Sequence, residues 1–184
     1  MLYNSQISMN PYPKLVLNII RNRLTHLIAF NYSPEISANE LVSKVIASNR
    51  RFHYRPLFSL SKDGNVDLMT HCLNVVVPVE LKIAADSQLI GNYDRNYKIW
   101  ETVFRLQNFL RDNQQSYGIV IYIAKDNVTN KINTFAPLID GEDETRMIKK
   151  IDGTFSYVGK HTIKWHKLKN DYQMCVITLV NQEK

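Results

Sequence analysis

A chain of 184 residues with 45% hydrophobic content can bury a sizeable core without disulfides or structural metals, and one compact domain over 1–184 is the economical expectation. Its two cysteines, Cys72 and Cys175, lie far apart with no metal-ligand spacing, which gives no sign of a zinc site and predicts free thiols in a reducing cytoplasm. No apolar run reaches the roughly 18 residues that span a bilayer and the N-terminus lacks a signal-peptide pattern, so a soluble cytoplasmic protein with no membrane partner is expected, and the net charge of +6 favours a polyanion.

The chain opens on a polar segment to Pro13, followed by an amphipathic helix over 15–30 with Leu17, Ile20, Leu24 and Leu27 or Ile28 on one stripe. Ser33-Pro34-Glu35 interrupts it and a second helix follows over 37–48. Ser37 and Glu40 stand there in capping-box spacing. Residues 52–60 read as a strand and Lys62-Asp63-Gly64-Asn65 as a turn.

Next comes GNVDLMTHCLNVVVPVELKI, residues 64–83. Residues 73–79 are nearly all apolar and rich in valine, as in a strand buried on both faces, yet they lead directly into Glu80 and Lys82. An unpaired buried charge costs several kcal/mol, roughly, so ionised groups at the end of a core strand are expected to pair with each other or with a metal. Side chains two apart share a face, so Glu80 and Lys82 look one way and Val79, Leu81 and Ile83 the other. If 66–70 and 75–82 pair as an antiparallel hairpin turning around 71–74, Asp67 can lie opposite Glu80. Two carboxylates and an ammonium then converge. Carboxylates in close contact raise one another's pKa unless a cation intervenes, and a hard divalent ion suits oxygen donors, with Mg²⁺ the natural candidate and Mn²⁺ its substitute.

A polar loop over 86–96 leads to a helix with Ile99, Val103, Leu106 and Leu110 at helical spacing, and residues 117–124 form an apolar strand. Helix then strand after the hairpin predicts a crossover that sets 117–124 parallel to 75–82. Arg105 and Gln107 on the helix, and Gln88, Tyr93, Asp94 and Arg95 in the loop, are candidate substrate contacts. The remainder, with 134–138, a polar segment over 140–150 and strands near 162–168 and 173–180, is expected to be a β-rich C-terminal addition over about 126–184 to a core over about 14–125. Basic groups concentrate at Arg21 and Arg23, at Arg50, Arg51 and Arg55, and at Lys149, Lys150, Lys160, Lys164, Lys167 and Lys169. Their interleaving with Phe52, His53, Tyr54, Tyr157, Trp165 and His166 is the pattern of a backbone-tracking surface with stacking groups. No phosphate-binding loop, dinucleotide fingerprint, nucleophile elbow or internal repeat occurs.

At Asp67 and Glu80-Leu81-Lys82 the chain resembles the PD-(D/E)xK nuclease superfamily, whose members carry an Asp on one strand and Glu-x-Lys on the next. Val66 stands where that motif has its proline, and Pro78 lies inside the Glu-x-Lys strand. The resemblance implies an α/β restriction-endonuclease-like fold, a mixed β-sheet core flanked by helices. It implies metal ligation by Asp67, Glu80 and the Leu81 main chain, with Lys82 assisting the nucleophilic water. Many family members add a Glu from a preceding helix, for which Glu40 is the best-placed counterpart; Glu35 competes for that role, and capping of the helix start is the alternative for Glu40. The expected activity is a metal-dependent endonuclease acting on double-stranded or branched DNA as a homodimer, since cutting two strands at once needs two sites. An RNA endonuclease, or a non-catalytic nucleic-acid or protein binding module with the same fold, is the alternative.

Overall fold

The computed structural model describes residues 12–51, 58–59, 66–83, 95–125, 138–150 and 153–181. Two helices lead, α1 (Tyr12–Asn31) and α2 (Ala38–Arg51), followed by β1 (Phe58–Ser59), β2 (Leu68–Cys72) and β3 (Val75–Ile83). Then come α3 (Arg95–Asp112), β4 (Tyr117–Lys125), β5 (Gly141–Lys150), β6 (Gly153–Lys167) and β7 (Tyr172–Val180). The strands form one mixed α/β sheet in the order β1-β2-β3-β4-β7-β6-β5. The strand expected over 52–60 is represented by β1; residues 52–57 and 60 lie outside the described residues.

Two apolar layers clamp the sheet. On one face Leu17, Ile20, Leu24 and Leu27 of α1 and Leu41, Val42 and Val45 of α2 pack against Val77, Val79 and Leu81 of β3 and Ile119, Ile121 and Ile123 of β4. On the other, Ile99, Trp100, Val103, Leu106 and Leu110 of α3 pack against Val120, Tyr122 and Ala124 of β4 and Cys175, Ile177 and Leu179 of β7. β4 is therefore buried on both sides, which is why 117–124 reads as an uninterrupted apolar run. A Cβ at Gly118 would lie 3.1 Å from side-chain atoms of both Leu106 and Leu110, so the missing side chain lets α3 lie close on β4. β3 and β4 are parallel with Val79 opposite Ile119, and α3 is the crossover between them, as the order of elements predicts.

The C-terminal strands are not appended to a finished core. β7 lies antiparallel to β4, from Tyr117 opposite Val180 to Lys125 opposite Tyr172, and so continues the central sheet. Residues 140–150, expected as a polar segment, instead contain β5, which pairs with a β6 that starts nine residues before the expected 162. The run GEDETRMIKK lacks the apolar alternation of a half-buried strand, so its pairing with β6 is fixed by tertiary context rather than by its own pattern. The β6–β7 turn is local by contrast: Asn170 and Asp171 both have positive φ, 58° and 59°, the backbone of a type I′ hairpin turn that these two residue types tolerate.

α3 ends in a motif where the Gln115 amide donates to the Leu110 carbonyl at 2.8 Å, with Gln114 left-handed at φ 54°. Glycine is the preferred residue there. Gln114→Gly is expected to stabilise the protein by roughly 0.5–1 kcal/mol, read as a higher denaturant midpoint at unchanged m.

Pro78 sits inside β3 opposite Met69 without costing a ladder bond. Backbone groups alternate sides along a strand, and the Leu81 amide points toward β2, so the nitrogen of Pro78 points toward β4. The β3–β4 ladder begins only at Val79. Cys72 and Cys175 are both free thiols, in line with their spacing. Among the described residues no helix is long and apolar enough to cross a membrane.

Candidate active site

The β2–β3 hairpin turns at Leu73-Asn74, with Cys72 opposite Val75 and Leu68 opposite Val79. Extending that register by one residue sets Asp67 opposite Glu80, as parity along the sequence predicts. Val79 and Leu81 belong to the layer under α1 and α2, so Glu80 and Lys82 look out on the α3 side. Asp67 lies just before the ladder begins, and its side chain replaces the missing strand partner: Oδ2 accepts the Leu81 amide at 2.7 Å. A residue's N–H and C=O lie on the same side of a strand, so the Leu81 carbonyl faces the same edge as the Asp67 carboxylate.

Lys82 completes the group. Its Nζ lies 3.2 Å from Glu80 Oε2 and 3.9 Å from Asp67 Oδ2. Exposure is graded: the Glu80 side chain is 9% exposed, that of Asp67 29% and that of Lys82 38%, so the cluster opens to solvent on the lysine side. Burial raises the Glu80 pKa above its ordinary 4.5, the neighbouring Asp67 carboxylate raises it further, and the Lys82 ammonium opposes both without offsetting them. One ammonium thus does not fully balance two carboxylates in a partly desolvated site. Oxygen donors with unbalanced negative charge are the chemistry that takes up a hard divalent cation, and Mg²⁺ commonly uses only one or two protein carboxylates, keeping waters and substrate phosphates for the rest.

The adjacent strand supplies the floor. Val120 and Tyr122 of β4 stand in register beside Glu80 and Lys82, both buried and both facing α3. In the sequence Tyr122 is one position of an apolar strand; its place beside Lys82 follows once the parallel register is known.

Glu40 is not brought to this group. It lies exposed in the first turn of α2, where its amide donates to Ser37 Oγ at 3.2 Å and its carboxylate pairs with Lys44 at 3.0 Å. The capping alternative describes this half of the box, and the (i, i+4) pair accounts for the charge. α2 packs on the face of the sheet away from Glu80. Glu35 is exposed in the turn before α2. Among the described residues no three His, Cys, Asp or Glu side chains come together to hold an ion, so the protein donors here are two carboxylates and a carbonyl. Of the other candidate contacts, Arg105 is exposed and Gln107 half-buried on α3. Gln88, Tyr93, Asp94, Arg55, Phe52, His53 and Tyr54 lie outside the described residues, as do the side chains of Arg50, Arg51, Arg95, Lys149, Lys150 and Tyr157. Lys160, Lys164, Lys167 and Lys169 are exposed, and Lys164 alternates with the half-buried His166 on one face of β6.

Asp67 has two separable jobs, holding the Leu81 amide and carrying charge. Asp67→Asn keeps an oxygen acceptor and is expected to leave stability within about 0.5 kcal/mol of wild type, whereas Asp67→Ala orphans the amide and should cost about 1–3 kcal/mol. Paired urea titrations of the two variants measure the difference.

Comparison with family models, with curated proteins and with solved structures finds no match to this chain.

Proposed function

We propose that this protein is a metal-dependent endonuclease that hydrolyses phosphodiester bonds of DNA, with the restriction-endonuclease-like fold that its Asp and Glu-x-Lys pattern resembles. The observation that carries the reading is the convergence of Asp67, Glu80 and Lys82 on one face of a hairpin, with the Leu81 backbone alongside and solvent on one side. The order of a strand hairpin followed by a helical crossover to a parallel strand supports it.

Asp67, Glu80 and the Leu81 carbonyl would hold Mg²⁺, with Mn²⁺ able to replace it. Bound there, the ion supplies Lewis acidity at the phosphoryl oxygen and a water of lowered pKa. The protein's own part follows from the geometry. Lys82, the most exposed of the three, can reach from Glu80 toward solvent, where its ammonium orients the attacking water and offsets charge gathering on the phosphate. Asp67 stays fixed by the Leu81 amide, so its carboxylate needs no reorganisation when substrate arrives. Val120 and Tyr122, buried on β4 beside Glu80 and Lys82, flank the group on the side away from Asp67. In-line hydrolysis of both strands of a duplex or a junction needs two such sites, and a homodimer supplies them.

Incubation of the purified protein with supercoiled plasmid, a four-way junction and single-stranded RNA, each with Mg²⁺, Mn²⁺ or EDTA, tests the proposal. Metal-dependent DNA cleavage is expected. Preferential loss of RNA would replace DNA as the substrate, and intact substrates with retained binding would point to a non-catalytic binding module.

A further inference from the structure

We propose that Lys82 is the resident counter-ion of the Asp67–Glu80 pair, and that a divalent cation enters the site only by displacing its ammonium outward. The inference rests on the metal-site reading above but concerns what the lysine does before any reaction. Its Nζ stands within 3.2 Å of one carboxylate and 3.9 Å of the other, on ground that a shared cation would claim. A unit positive charge at that range competes directly with a second cation for the same two anions. The side chain can leave: it is 38% exposed, its head lies on the open side of the cluster, and a four-carbon stem lets the ammonium swing into water without moving β3. Glu80 cannot follow, being nearly buried against Val120, and Asp67 is tied to the Leu81 amide. One mobile cation over two fixed anions is an exchangeable arrangement. Lys82 therefore weakens metal binding in the free protein, and the same displacement sends its ammonium to the solvent side, where a phosphate would arrive.

The test needs no substrate and no turnover. Mn²⁺ affinity is measured by titration with electron paramagnetic resonance detection on wild type, Lys82→Met, Lys82→Arg and Glu80→Gln, with thermal melts to confirm folding. Lys82→Met is expected to bind Mn²⁺ about tenfold more tightly than wild type, a modest factor because the lysine is partly screened by solvent. Lys82→Arg keeps a competing cation and should stay near wild type, and Glu80→Gln should remove the binding, which locates the ion. Unchanged or weaker Mn²⁺ affinity in Lys82→Met, with Glu80-dependent binding intact, would overturn the counter-ion role and leave the metal site standing. Absence of any Glu80-dependent binding in both wild type and Lys82→Met would remove the metal site itself and this role with it.

Discussion

Glu80→Gln is expected to lower metal-dependent cleavage about a thousandfold while making the protein more stable at pH 7. The loss follows from removing one of two charged oxygen donors at a site where nothing nearby can take its place among the described residues. The gain follows from the electrostatics of the folded state. Burial and the Asp67 carboxylate both disfavour ionised Glu80, and the ammonium of Lys82 does not restore the balance. Its folded-state pKa is raised, so the folded protein holds that proton to higher pH than the unfolded chain does. Below the ordinary value of 4.5 Glu80 is protonated in both states and contributes no penalty; from there up to the raised pKa the unfolded chain ionises while the folded protein keeps the proton, so stability falls over that window and levels off above it. Gln mimics the neutral carboxyl. The stability gap between variant and wild type should therefore be wider at pH 7 than at pH 4 and close below about pH 4.5. Urea titrations at pH 7 and pH 4 read this directly, and a variant less stable than wild type at pH 7 would show that the Lys82 pair outweighs burial.

Trp100→Ala is expected to cost about 3–5 kcal/mol, enough to leave a marginal domain largely unfolded. Trp100 is fully buried on α3, its ring meets that of His161 on β6 edge-on at 5.3 Å and 81°, and it belongs to the cluster joining α3 to β4 and β7. Deleting the indole leaves a cavity between the crossover helix and the C-terminal strands. Trp100→Phe keeps an aromatic face toward His161 and should lose less than half as much. Denaturant midpoints for the two variants separate these cases. Cleavage per folded molecule in Trp100→Phe is expected to match wild type, because no atom of the site is altered.

The difference in reach between these two positions mirrors what the sequence could disclose. The register that sets Asp67 opposite Glu80 needs only strand parity and the short turn at Leu73-Asn74, both local. The α3 crossover is likewise local in chain order, since an amphipathic helix between two apolar strands admits few other arrangements. What the sequence hides is non-local. β7 inserts beside β4 and makes the C-terminal third part of the central sheet, a pairing with no signature in residues 172–180 beyond their apolar character. β5 is hidden because Glu142, Asp143 and Glu144 break the pattern of a half-buried strand. The Asp67 bond to the Leu81 amide spans 14 residues and depends on β2 beginning one position after Asp67, which no spacing rule marks. Glu40 shows a converse limit: a helical Glu three residues after a serine fits capping and metal binding equally well by spacing, and the face on which α2 packs separates the two.

Anomalous diffraction from crystals of the protein soaked in Mn²⁺ shows whether Asp67, Glu80 and Leu81 hold a divalent ion. One strong peak is expected at the open edge of the β2–β3 hairpin, with oxygen contacts near 2.1 Å, roughly, to both carboxylates or to one carboxylate and the Leu81 carbonyl, and with the Lys82 ammonium turned away. A map with no peak there, or with manganese only elsewhere and Lys82 still bridging Glu80 and Asp67, would contradict the metal site.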